Sequence, residues 1–303
     1  MTPSWPDVQT AVQQTGSPYD VVRRGYVADL ALYTGRNVII YYSGWLEKQS
    51  LVGQGLTGYE INDSDKTGFM STVHGLDRDK GLDLILHTPG GDIAACESLV
   101  DYLRTMFAGD IRVIVPQLAM SCGTMIALSA RQVIMGKHSS LGPIDPQIGG
   151  VPAHGIIEEF DQAKKEISAD PSTIPVWQPI IGKYNPTLVG EAAKAIRWAR
   201  DMVDIWMQTG MFAGRTDKVD ASKKVLDELA DHALTLSHSR HISSSKAKSL
   251  GIVVVDLESD PDLQDKVLAI HHSCTQTLAD TRAFKIIENN AGIAVISVVN
   301  QVR

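Results

Sequence analysis

Residues 111–130 read IRVIVPQLAMSCGTMIALSA, and the fold turns on what joins the two halves of that stretch. Ile111–Val115 is a short apolar run rich in β-branched residues, which predicts a buried strand. Met125–Ala130 opens a helix made of small and apolar residues. Between them stand Ser121, Cys122 and Gly123. One reading of this junction is a tight turn whose serine caps the helix. The other is a nucleophile held at a strand-to-helix turn, within reach of backbone N–H donors.

Upstream, LHTPGGD (86–92) has the same form. The run 82–88 predicts a buried strand, Pro89 ends it, and Gly90-Gly91 precede an amphipathic helix with Leu99, Leu103, Met106 and Phe107 at helical spacing. Downstream, 132–136 predicts a third strand. Strand, helix, strand, helix, strand in close succession argue for parallel strands with right-handed crossovers. Both junctions then lie at the carboxyl ends of neighbouring strands, the rim where open α/β sheets place their sites. One turn offers N–H groups at a helix start and the other offers a hydroxyl. Together they are the halves of an acyl-transfer site.

The remainder fits an α/β chain. A helix is expected over 19–35, a strand over 37–43 and a helix over 65–76. Helices are expected again over 153–167 and 187–212, then a strand at Ile252–Val255, a helix from Pro261, and strand-like runs at 284–290 and 293–299. The expected division is an N-terminal helical segment (1–34), a core with a helical arm (35–256) and a C-terminal extension (257–303), read as an arm or small cap.

Composition narrows the function. A net charge of −7 with scattered Lys and Arg gives no basic stripe, so no nucleic-acid partner is expected. No apolar run approaches the roughly 20 residues of a membrane helix, so no membrane partner is expected. The start MTPSWPDVQTAVQQTG has no basic region followed by an apolar core, so it does not read as a secretory signal. Cys96, Cys122 and Cys274 are widely spaced and form no CxxC, which argues against a disulfide frame or a zinc site and for a reducing cytoplasm.

LILHTPGGDIAACESLVDYLR (84–104), VPQLAMSCGTMIALSA (115–130) and MGKHSSLGPIDPQIGG (135–150) together resemble the serine dehydrogenase proteinase family. That family belongs to the superfamily of the Clp protease proteolytic subunit, the signal peptide peptidases and the crotonases. The resemblance spans roughly residues 25 to 256 and implies a Clp protease/crotonase-like spiral of ββα units with helical additions. It also implies a cofactor-free serine endopeptidase, homo-oligomeric, acting on peptide or protein substrates, and leaves open whether an unfoldase delivers them. Ser121 falls on the family's nucleophile, and the N–H groups of Gly91 and Cys122 fall on its oxyanion donors. Cys122 stands where these families have a small residue, which makes its thiol a minor rival nucleophile.

A serine hydroxyl needs a positioned base. Where the Clp family has its His, this chain has Asp145; where that family has its Asp, this chain has SHSR, hence His238 or its neighbour Ser239. The resemblance therefore implies a triad in the order Ser121, Asp145, His238, an order chemically acceptable because triads are defined by geometry and role. His241 is the alternative base, and Lys164 or Lys165 would serve a Ser-Lys dyad like that of the signal peptide peptidases. His87 and His138 read as structural, and His154, at a helix start, also has a structural reading. Two other functions compete: a crotonase-type acyl-CoA enzyme, which has no use for a hydroxyl at 121, and an inactive scaffold of the same fold.

Overall fold

The computed structural model describes residues 17–230 and 240–299. Its centre is a strand run that needs no amphipathicity because it is covered on both faces. In β1 (Asn37–Ser43) and β2 (Leu82–His87) every residue is buried. β3 (Ile111–Val115) and β5 (Gln132–Met135) are nearly so. Among the described residues these strands form a sheet with β8 (Val254–Asp256), β9 (Ala283–Asn289) and β10 (Ala294–Val298), in the order β8-β5-β3-β2-β1-β9-β10. The strands from β8 to β1 are parallel, as the alternation of strands and helices predicts. β9 and β10 are antiparallel additions. The molecule is thus mixed α/β with a mixed central sheet.

Side chains alternate between two cores, as the period of an extended chain requires. Ile39, Tyr41, Leu84, Leu86, Val113 and Val115 face one core, shared with α2 (Ser64–Val73), α3 (Ile93–Met106) and α4 (Cys122–Leu128). Val38, Ile40, Tyr42, Ile85, Ile114 and Ile134 face the other, covered by α1 (Pro18–Thr34) and α8 (Pro261–Asp280). Segment 257–299 therefore contributes both a covering helix and a strand next to β1. A helical arm, α5 (Ala153–Ala169) packed on α6 (Leu188–Thr209), has a small core of its own around Ala153, Ile156 and Ala192. No helix among the described residues is long and apolar enough to cross a membrane.

A second, three-stranded sheet positions the site: β4 (Leu118–Ala119), β6 (Ser140–Leu141) and β7 (Ile242–Ser243). Each main strand β3 and β5 runs on into a short strand of this sheet. β2 does the same in miniature, with Thr88 bridging Ala119. The chain leaving each strand is thereby turned across the carboxyl rim before the next helix begins.

Two buried ion pairs tie the late strand β9 to the early helices α1 and α2. Arg23 and Glu288 are both fully buried and meet at 2.5 Å; Arg23 also reaches Asp20 and the Thr277 hydroxyl, and Arg24 takes the other Glu288 oxygen. On the opposite face Lys285 pairs with Asp65 at 2.7 Å and donates to the Glu60 carbonyl at 2.8 Å, while Tyr41 donates to Asp65. At the end of β2, His87 is fully buried with Trp45, Tyr42 and His271 around its ring. Burial pushes the His87 imidazole down to about 3 and that of His271 down to about 4, so both are neutral at pH 7.

Removing one partner of a buried pair strands the other charge. Glu288→Ala is expected to destabilise the protein by about 3–5 kcal/mol in urea unfolding, because Arg23 stays buried. His87 sets a pH dependence. Its folded pKa lies below the unfolded value of about 6.5, so below that pH the unfolded chain binds the extra proton and stability falls as pH falls. Between pH 7 and pH 5 this group alone should remove about 2 kcal/mol. Urea midpoints of the parent and of His87→Gln at the two pH values check this: the variant should lose less on acidification.

Candidate active site

Ser121 stands at the start of α4 with φ 50° and ψ −117°, a region that residues with side chains rarely occupy. It holds the N-cap position, yet its hydroxyl makes no capping hydrogen bond. The capping reading of the junction therefore fails: the turn bends the chain sharply and leaves the side chain unused by the helix. Gly123 N–H donates to the Met120 carbonyl at 2.7 Å, closing the turn.

The other turn is pressed against this one. A Cβ at Gly90 would lie 2.7 Å from Ser121 Cβ and 2.9 Å from the Met120 oxygen, so only glycine permits the approach. Thr88 N–H donates to Leu118 O and Met120 N–H to Thr88 O, both at 3.0 Å, which locks the two turns in register. Gly91 is clamped from its other side by Ile61, where an added Cβ would lie 2.2 Å from the Ile61 oxygen. Ile61 N–H donates to Gly90 O at 2.8 Å and Asp92 N–H donates to Ile61 O at 2.9 Å. The N–H groups of Gly91 and Cys122 donate to no described residue.

Both turns open on one cavity of about 390 Å³. Ser121, Gly90, Gly91 and Asp145 line it, together with Met125 and Ile144. Asp145 is 1% exposed and arrives from the segment after β6. That segment is held by Thr124, whose hydroxyl lies 2.8 Å from Ala119 O and 2.9 Å from both the N–H and the carbonyl of Gly142. Ile144 N–H then donates to Leu229 O at 3.0 Å, at the end of α7 (Lys218–Leu229).

The remaining candidates lie elsewhere. His238 and Ser239 are outside the described residues. The described residues on either side are nonetheless anchored beside the Asp145 segment: Leu229 through Ile144, and Ile242 through its antiparallel pairing with Leu141. His241 is exposed and lines a different cavity with Glu228 and Lys246. Lys164 is exposed on α5 and pairs with Asp161 at 3.3 Å, and Lys165 is exposed beside it. Cys122 is 1% exposed, and its thiol donates to the Gly91 carbonyl at 3.0 Å instead of facing the cavity. His87 is structural, as expected; His138 is exposed, and His154 is partly buried.

Five contributing residues were not legible in the sequence. Thr124 reads as an ordinary helix residue, and Glu60–Ile61 sits in a polar loop. Trp198 and Ala195 reach the cavity from α6, a helix whose apolar positions read as core or subunit contact. Their i, i+3 spacing was visible, but the surface that the helix face meets was not.

The strain at Ser121 is testable without any substrate. Ser121→Gly is expected to unfold at a temperature at least as high as the parent, since glycine occupies this backbone region freely. Ser121→Ala retains the strain and should gain nothing. Paired thermal melts decide: equal melting temperatures for Ser121→Gly and Ser121→Ala would mean the turn is unstrained.

Comparison with known proteins assigns the chain to a family. The chain is 38% identical over 131 residues to an uncharacterized protein of Methanocaldococcus jannaschii, a stretch covering 43% of this chain and 45% of that one. It is 31% identical over 210 residues to a second uncharacterized protein of the same organism, covering 68% of this chain and 63% of that one. The matches thus span less than two thirds of either relative. Residues 46–287, which include both turns, Asp145 and most of β9, match a family described as ClpP-like SDH-type serine proteinase, and the chain belongs to that family.

Proposed function

We propose that this protein is a serine endopeptidase that works through an acyl-enzyme at Ser121, with the triad Ser121, Asp145 and His238 on a Clp protease/crotonase-like spiral of ββα units. The observation that carries the reading is the turn at Ser121. A backbone held at φ 50°, with its hydroxyl withheld from the helix cap and its residue lining a cavity together with Gly91, whose N–H donates to no described residue, suits nucleophilic attack.

In this mechanism Ser121 Oγ attacks the scissile carbonyl while His238 takes the hydroxyl proton. The carbonyl oxygen becomes an oxyanion, held by the N–H groups of Gly91 and Cys122 at the positive end of α4. As the C–N bond breaks, His238 returns the proton to the leaving amine. Water then attacks the acyl-enzyme by the same route and frees Ser121. Asp145 orients the imidazole and stabilises its protonated form, a role suited to a buried carboxylate at the cavity wall. His238 is preferred as base because both flanks of its segment are anchored next to Asp145. His241 and Lys164 are exposed and line no part of the cavity. An acyl-CoA reading would leave the strained serine without a purpose.

A fluorophosphonate probe with mass-spectrometric mapping tests the proposal. The adduct is expected on Ser121, and Ser121→Ala should abolish it. Asp145→Asn should slow labelling by up to about 10⁴-fold, the loss typical of a triad carboxylate. His238→Ala should slow it at least as far. Folded protein that takes no label across a range of pH would sink the peptidase reading. Labelling that survives in His238→Ala but not in Lys164→Ala would move the base to the lysine.

A further inference from the structure

We propose that Cys122 is a positioning residue whose thiol, through its hydrogen bond to the Gly91 carbonyl, aims the Gly91 N–H at the reacting oxygen. The inference rests on the serine-peptidase reading of Ser121 and adds to it a role for a side chain that the mechanism otherwise leaves unused.

The argument starts from the backbone between Gly90 and Asp92. It offers four polar groups to its surroundings. Gly90 O accepts from Ile61 N–H at 2.8 Å, and Asp92 N–H donates to Ile61 O at 2.9 Å. Gly91 O accepts from Cys122 Sγ at 3.0 Å. Only the Gly91 N–H donates to no described residue, and Gly91 lines the cavity. Ile61 holds the outer edge of this segment; Cys122 holds its inner edge, the one facing the nucleophile turn.

The choice of residue matters because an oxyanion hole needs two donors to converge on one oxygen, each at about 2.7–3.1 Å. Cys122 supplies one donor from its own backbone and grips the peptide beside the other. Its single side chain therefore couples the two turns, so that movement at the start of α4 carries Gly91 with it. A second thiol steadies the arrangement: Cys96 Sγ, on α3, donates to the Cys122 carbonyl at 3.6 Å. The neighbouring Cys122 side chain and burial hold the Cys96 thiol well above the ordinary thiol range, so it keeps the proton that it donates. An S–H group is a weak donor, but here it lies 1% exposed, where water does not compete for the carbonyl.

The test separates the donor from the volume. Cys122→Val keeps a compact apolar side chain at the buried position and loses the donor. Cys122→Ser keeps a donor. Labelling of Ser121 by the fluorophosphonate is followed to saturation in the full chain, and thermal melts confirm that each variant is folded. Cys122→Val is expected to lower the inactivation rate at saturating probe by about 10-fold with half-saturation unchanged, as a misaimed oxyanion donor should. Cys122→Ser should recover most of that rate. If Val does not fold, Cys122→Ala replaces it with the same expectation. A labelled parent with Val or Ala equally fast overturns the positioning role alone, and so does a Ser variant as slow as Val. A parent that takes no label overturns the peptidase reading, and this proposal with it.

Discussion

The contact between Gly90 and Ser121 governs the rest of the site. There is no room for even one methyl group between the two turns. Because they touch, Gly91 on one turn and Ser121 on the other line the same cavity. Because each turn also follows a strand that is wholly or almost wholly buried, the cavity inherits the rigidity of a sheet covered on both faces. The strain at Ser121 is sustained by these surroundings. Thr88, Leu118 and Met120 form the ladder that over-determines the turn, and a backbone held in an unfavourable region persists only under such constraint.

Polar groups are handled in two ways. Beneath the covering helices, charge is matched by charge on both faces of the sheet, Glu288 with Arg23 and Arg24 on one and Asp65 with Lys285 on the other. His87 and His271 are held there as neutral rings packed edge-on and tilted among aromatics. Toward the cavity, polar backbone groups are instead pinned one by one, by Ile61, by Thr124 and by the Cys122 thiol. Such one-to-one pinning leaves a defined pair of N–H groups over, which is what a preorganised electrostatic site requires.

Much of this was legible in the sequence because strand-to-helix turns of this kind write a local signature. Pro89-Gly90-Gly91 and Ser121-Cys122-Gly123 each mark a place where a buried strand ends and a helix begins. Their neighbourhood follows from parallel pairing of 82–87 with 111–115. What stayed hidden depends on contacts between distant stretches. Ile61 has no feature that foretells a bridge to Gly91, since the bridge is made by backbone atoms that any residue carries. Thr124 is read by helix position alone, while its importance comes from Gly142. Residues 284–290 and 293–299 were read correctly as strand-like. Their place beside β1 could not be, because antiparallel additions to a parallel sheet leave no mark in the strand's own pattern.

Lys285 carries one further meaning. Its ammonium group, on β9, donates to the Glu60 carbonyl and pairs with Asp65, directly behind the Ile61 bridge that holds Gly91. The oxyanion turn thus leans on a strand that emerges from the ribosome long after Ser121 has been made. A chain still being synthesised has the serine but lacks the brace behind its donors. Under the proposed mechanism, competence to cut therefore waits until the sheet is complete.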